Sequence, residues 1–124
     1  MAAPNIVNVQ TITGTSIATS LATTSATAVV SNAAGSGTLL KVNTVIISNI
    51  SGTNAGTYSL FFNTAAAGAG SNFALASTIS VPANATLISM DRSTAVYIPE
   101  NTSLVIQAGT ANILNVVVSY EIIS

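Results

Sequence analysis

Apolar positions in this chain fall in short runs that alternate with polar ones, broken at close intervals by Gly, Asn, Pro and Ser. Along residues 6–12, Ile6, Asn8 and Gln10 point one way and Val7, Val9 and Thr11 the other, with Gly14 as the stop. A strand sends successive side chains to opposite faces, so this pattern predicts strand rather than helix. A second apolar run at 26–31 is closed by Asn32-Ala33-Ala34-Gly35-Ser36-Gly37, a flexible loop. Residues 39–50 form the strongest predicted strand. Its centre, Val45-Ile46-Ile47, is apolar on both faces, which predicts a central strand covered on both sides. After a turn at 51–56, residues 57–63 place Tyr58, Leu60 and Phe62 on one face and Phe61 on the other. That spacing reads as a hairpin with a longer loop.

The second half continues in the same way. Two glycines within residues 65–71 argue against a helix despite the alanines. Strands are predicted at 73–81 and 86–90, separated by Pro82-Ala83-Asn84. Asp91-Arg92-Ser93-Thr94 is a polar turn in which Asp can bond its own backbone. Tyr97-Ile98 leads into a turn with Pro99 at its second position. Residues 103–108 point Leu104 and Ile106 inward, and 113–123 align Val116, Val118, Tyr120 and Ile122 on one face. The Ala-, Ser- and Thr-rich stretch 16–27 fits a strand or one loose helical turn. Eight to ten short antiparallel strands at intervals of ~8–12 residues predict an all-β chain. The expected architecture is a single β-sandwich or jelly-roll-like domain over 13–124, with an extended N-terminal arm over 1–12.

Composition sharpens this. Lys41, Asp91, Arg92, Glu100 and Glu121 are the charged residues, 4% of the chain, where a globular domain carries ~25%. His, Cys and Trp are absent. A Ser–His or Cys–His nucleophile is therefore impossible, and no thiolate metal site or disulfide framework can form. Lys41, the lone lysine, lies in a strand and is expected on a solvent or interface side, where it blunts edge pairing. The three carboxylates fall in turns or near a strand end, with no spacing for a calcium loop or an acid–base pair. The expectation is no enzyme, no cofactor and no metal. Two basic residues cannot neutralise a phosphate backbone or steer the chain to an anionic membrane, so nucleic acid and membrane are not expected partners. Residues 1–5 show no basic or apolar leader segment, so an unprocessed chain made in the cytoplasm is expected.

A neutral, Thr-rich β surface invites association unless its edges are covered. The composition matches the charge-depleted core of an obligate interface and predicts a homo-oligomer, a ring or trimer being simplest. Candidate interface residues are Ile6, Val7 and Val9 in the arm, acting by strand addition, together with Lys41, Asp91 and Arg92.

Four segments carry a likeness: 1–9, 45–55 (Val-Ile-Ile-Ser-Asn-Ile-Ser-Gly-Thr-Asn-Ala), 79–87 (Ile-Ser-Val-Pro-Ala-Asn-Ala-Thr-Leu) and 116–121 (Val-Val-Val-Ser-Tyr-Glu). Together they resemble small virion proteins of tailed phages of aquatic bacteria, cyanophages among them. The resemblance implies a virion component made in the host cytoplasm. The expected role is a head decoration or cement protein that oligomerises on the major capsid protein. A tail, neck or fibre protein touching a host glycan is the alternative.

Overall fold

The computed structural model describes residues 11–124. Nine strands follow one another: β1 Ile12–Ser20, β2 Thr27–Asn32, β3 Leu39–Asn49, β4 Gly56–Asn63, β5 Asn72–Val81, β6 Thr86–Met90, β7 Val96–Ile98, β8 Thr102–Ala108 and β9 Leu114–Ile123. Single 3-10 turns at Ala66–Gly68 and Arg92–Thr94 are the helical elements among the described residues. The chain is all-β, and its strands form two antiparallel sheets. The first has the order β1-β9-β3-β6, with β7 also paired to β3, and the second has the order β2-β8-β4-β5.

One apolar cluster joins the two sheets. The first supplies Leu40, Val42, Val45, Ile47, Val116 and Val118, and the second supplies Val30, Tyr58, Leu60, Leu104 and Ile106. These are the inward positions of the alternating pattern, and most are wholly removed from water. With few aromatics available, β-branched and Leu side chains fill the interior.

Three expectations change. Gly14 does not end the first strand: β1 runs through it to Ser20, so residues 16–20 are strand and 21–26 are the loop. The glycine faces open space, with no neighbour within 4 Å of where a Cβ would stand, and it is simply one position on an exposed strand. The expected boundary after residue 12 falls inside this strand, while the arm up to residue 10 lies outside the described residues. Secondly, β3 and β4 are not a hairpin, because the connection 50–55 carries the chain from the first sheet to the second. β3 already has β9 on one edge and β6 and β7 on the other, and β4 lies between β8 and β5. Each strand is central in its own sheet, and their apolar faces meet across the interior. Thirdly, β3 is covered on one face only. Val45 and Ile47 are fully buried, but Ile46 on the opposite face is half-exposed.

The strand buried on both faces is β8 instead. Leu104 and Ile106 point inward as expected, and Val105, on the outer face, is only 2% exposed. The alanine–glycine loop 65–70 lies over it. Ser103 Oγ accepts the Gly68 N–H at 3.0 Å and donates to the Ala65 carbonyl at 2.8 Å. Ser31 Oγ accepts the Ala67 N–H at 2.8 Å. A Cβ on Gly68, whose φ is +72°, would stand 3.3 Å from Val105 Cγ2. Small residues are needed there because the loop backbone itself is the covering layer.

Buried asparagines fix the loops. Asn32, Asn49 and Asn63 each end a strand, and each side chain satisfies the backbone of the loop that follows. Asn49 Nδ2 donates to the carbonyls of Asn54 and Val81, both at 2.9 Å, and its Oδ1 accepts the Ser51 N–H. Asn32 Nδ2 donates to the carbonyls of Thr38 and Ile98. Asn63 Oδ1 accepts the N–H groups of Ala65 and Gly70. Buried polar groups demand partners, and these loops supply them without any charge.

Candidate interaction surface

The outer face of the first sheet follows from strand register. Residues paired across adjacent strands share a face, so the face is a set of rows perpendicular to the strands. One row is apolar: Ala18, Val117, Ile46 and Ile88 lie side by side across β1, β9, β3 and β6. Ile88 is 62% exposed and Val117 38%. The next row is Ser20, Asn115, Ser48 and Thr86, where Ser20 Oγ donates to Asn115 Oδ1 at 2.7 Å and the Ser48 and Thr86 hydroxyls lie 3.3 Å apart. On the other side, the Ser16 and Ser119 hydroxyls are 2.9 Å apart, with Thr44 in register beside them. Beyond that comes Gly14, Glu121, Lys41 and Tyr97. Leu39 and Ile123, in the last row, are already buried within the subunit.

This face therefore carries one acidic and one basic residue, directly opposite each other on neighbouring strands. Cross-strand pairs of opposite sign are favourable. The remaining positions are hydroxyl, amide or aliphatic. Such a surface is depleted of charge compared with an ordinary solvent-facing sheet.

The candidate interface residues are distributed as follows. Lys41 lies on this face, half-buried, in register with Glu121 and Tyr97. Asp91 and Arg92 lie in the exposed turn between β6 and β7. The Asp91 carboxylate is engaged inside that turn: Oδ1 accepts the Ser93 N–H at 3.0 Å and the Ser93 hydroxyl, while the Asp91 N–H is held by Thr94 Oγ1. The Ser93 hydroxyl and then its N–H hold the Asp91 carboxyl below its usual range. Asp91 thus caps the turn through Oδ1. Ile6, Val7 and Val9 lie outside the described residues. Glu121, Val117, Ile46 and Ile88, on the same face, were not among the candidate interface residues. Their signal was present in Val116-Val117-Val118, where apolar residues occupy both faces of one strand.

Two other surfaces are distinctive. β5 ends the second sheet and is exposed along most of its length, with Phe73 61% and Leu75 44% exposed. Its pairing with β4 is interrupted twice, and Thr78 adopts φ +50° with its N–H donated to Ser59 Oγ. Bulges of this kind bend an edge away from further pairing. Glu100 spans another junction: its carboxylate accepts the N–H groups of Gly35 and Gly37, at 3.2 and 3.0 Å. Both glycines have positive φ, which aims their N–H groups at one acceptor.

A shallow groove of about 270 Å³ runs along Ala18, Thr19, Ser20 and Asn115, Val116, Val117. It falls below the size of an ordinary ligand cavity. No group of three or more acidic, His or Cys side chains is placed to hold a metal among the described residues. No helix among them is long and apolar enough to cross a membrane. No protein family, curated protein or solved structure matches the chain.

Proposed function

We propose that this chain is a non-enzymatic structural protein of a phage virion, a head decoration or cement protein that oligomerises on the major capsid protein and stabilises the shell. The proposed fold is a jelly roll within a β-sandwich. Eight strands in the orders β1-β9-β3-β6 and β2-β8-β4-β5, with the chain crossing repeatedly between sheets, support that reading, with β7 as an addition at one edge. Double-sheet jelly rolls recur in viral capsid and lectin domains, an analogy of fold that raises the prior for a virion role without assigning a site.

The observation that carries the functional reading is the nearly uncharged outer face of the first sheet. A subunit that spends its working life in water gains nothing from exposing the row Ala18, Val117, Ile46 and Ile88, whereas one locked into a lattice gains apolar contact along it. The mechanism is mechanical: burial of apolar surface between subunits resists outward pressure, with no chemical step. A homo-oligomer, a trimer being simplest on a lattice of three-fold positions, is part of the proposal, as is a virion location.

Quantitative mass spectrometry of purified particles tests it. Hundreds of copies per particle are expected for a head coat. A handful of copies would move the protein to the tail, neck or fibre. Open-ended polymerisation of the purified chain without any phage component would instead favour a non-viral shell protein.

A further inference from the structure

We propose that the outer face of the first sheet is a two-fold interface between copies of this chain, with the axis running along the strands between β9 and β3. The inference rests on the homo-oligomer reading above and, in place of a trimer, specifies a two-fold pair.

Such an axis keeps each row in place and exchanges the strands: β9 lies over the partner's β3, and β1 over its β6 and β7. The consequences follow from register alone. Glu121 comes over the partner's Lys41, and Lys41 over the partner's Glu121. Val117 meets the partner's Ile46. At the periphery the largest residues face the smallest: Ile88 meets the partner's Ala18, and Tyr97 meets the partner's Gly14. The hydroxyl rows meet hydroxyl rows, so no polar group is buried against hydrocarbon. A two-fold across the strands through the charged row would set Lys41 over the partner's Lys41, which like-charge repulsion forbids. Charge therefore favours the axis along the strands over one across them through this row. Shape agrees: a two-fold along the strands carries a twisted sheet onto one of the same twist, so the two saddles nest.

The footprint of four strands over six or seven residues is on the order of 500 Å² per subunit, from strand spacing and rise. That is near the lower bound for a specific interface, so the contact is weak and forms where subunits are concentrated.

The experiment is a charge exchange read by native mass of the purified protein. Lys41→Glu sets Glu over Glu twice in the pair, and Glu121→Lys sets Lys over Lys. Each variant alone is expected to weaken dimerisation by about tenfold or more. An equimolar mixture of the two is expected to restore it, because each Glu then faces a Lys across the axis. The like charges within each chain persist in the mixture, so only pairing between chains rescues. Ile88→Asp, at an exposed position, is expected to dissociate the pair while circular dichroism retains the wild-type fold. A trimer or other oligomer indifferent to all three substitutions would overturn this interface and leave the oligomeric reading standing. A wild-type chain that stays monomeric at high concentration would overturn both.

Discussion

At the scale of single residues, the chain replaces charge with amides. Asn49 is 3% exposed and its Nδ2 satisfies two carbonyls from different segments, one in the loop and one at the end of β5. Removing it leaves both without that donor, and each buried unpaired group costs about 1–3 kcal/mol. Asn49→Ala is expected to lower stability by about 2–4 kcal/mol in urea unfolding, against a change within about 0.5 kcal/mol for the exposed Ser20→Ala. The burial of Asn49 also accounts for its sequon-like setting, Asn49-Ile50-Ser51, as a structural latch rather than a modification signal. Asp91 gives a pH-dependent counterpart. Its folded carboxyl titrates below the ordinary 3.8, so the cap is fully present above that value and is lost as the pH falls through it and then through the lowered folded value. The Ser93 and Thr94 amide resonances are expected to titrate with a midpoint below 3.8, and a midpoint at or above it would contradict the capping role.

At the scale of elements, period and punctuation located the strands well, and pairing was the invisible part. β3, β8 and β9 were all legible as alternating runs. That β3 and β4 belong to different sheets was not, because a loop of the same length can close a hairpin or cross between sheets. The face that Val45 and Ile47 present is the same in both cases. Nor could the pattern show that Val105, rather than Ile46, is the residue buried on a second face, since the cover is a loop of alanine and glycine with no apolar signature of its own. The outer face of the first sheet was half-legible: Lys41 was singled out as a charge in a strand, but its cross-strand neighbour Glu121 lies 80 positions away and only register unites them. On β5, Thr78 holds a β-branched residue at φ +50°, a conformation costing non-glycine residues ~1–2 kcal/mol. Thr78→Gly is expected to raise stability by roughly 1 kcal/mol, less the added freedom of glycine in the unfolded chain. A loss in denaturant titration would show that the threonine side chain contributes more than its backbone costs.

At the scale of the whole molecule, association should be almost blind to ionic strength. Exposed charges are screened within a few ångströms at about 1 M salt, but this subunit has few to screen. The native mass is expected to be the same at low salt and at about 1 M, where screening is nearly complete. Dissociation at high salt would mean that steering charge, not apolar contact, holds the assembly.

The sequence by itself determined the all-β class, the approximate strand positions, the inward residues of the core, the poverty of charge and, through the absence of His and Cys, the exclusion of chemistry based on them. Each of these depends on local alternation or on composition, which are properties of neighbouring residues. Only the tertiary structure decided which strands share a sheet, which face of β3 stays open and which distant residues form a row. Those are matters of long-range register, and in a strand the same two-residue period is compatible with several partners. The asparagine latches belong to this second group. Asn in a turn is ordinary, and its burial at a strand end becomes apparent only when the carbonyls of Asn54, Val81, Thr38 and Ile98 are brought within reach.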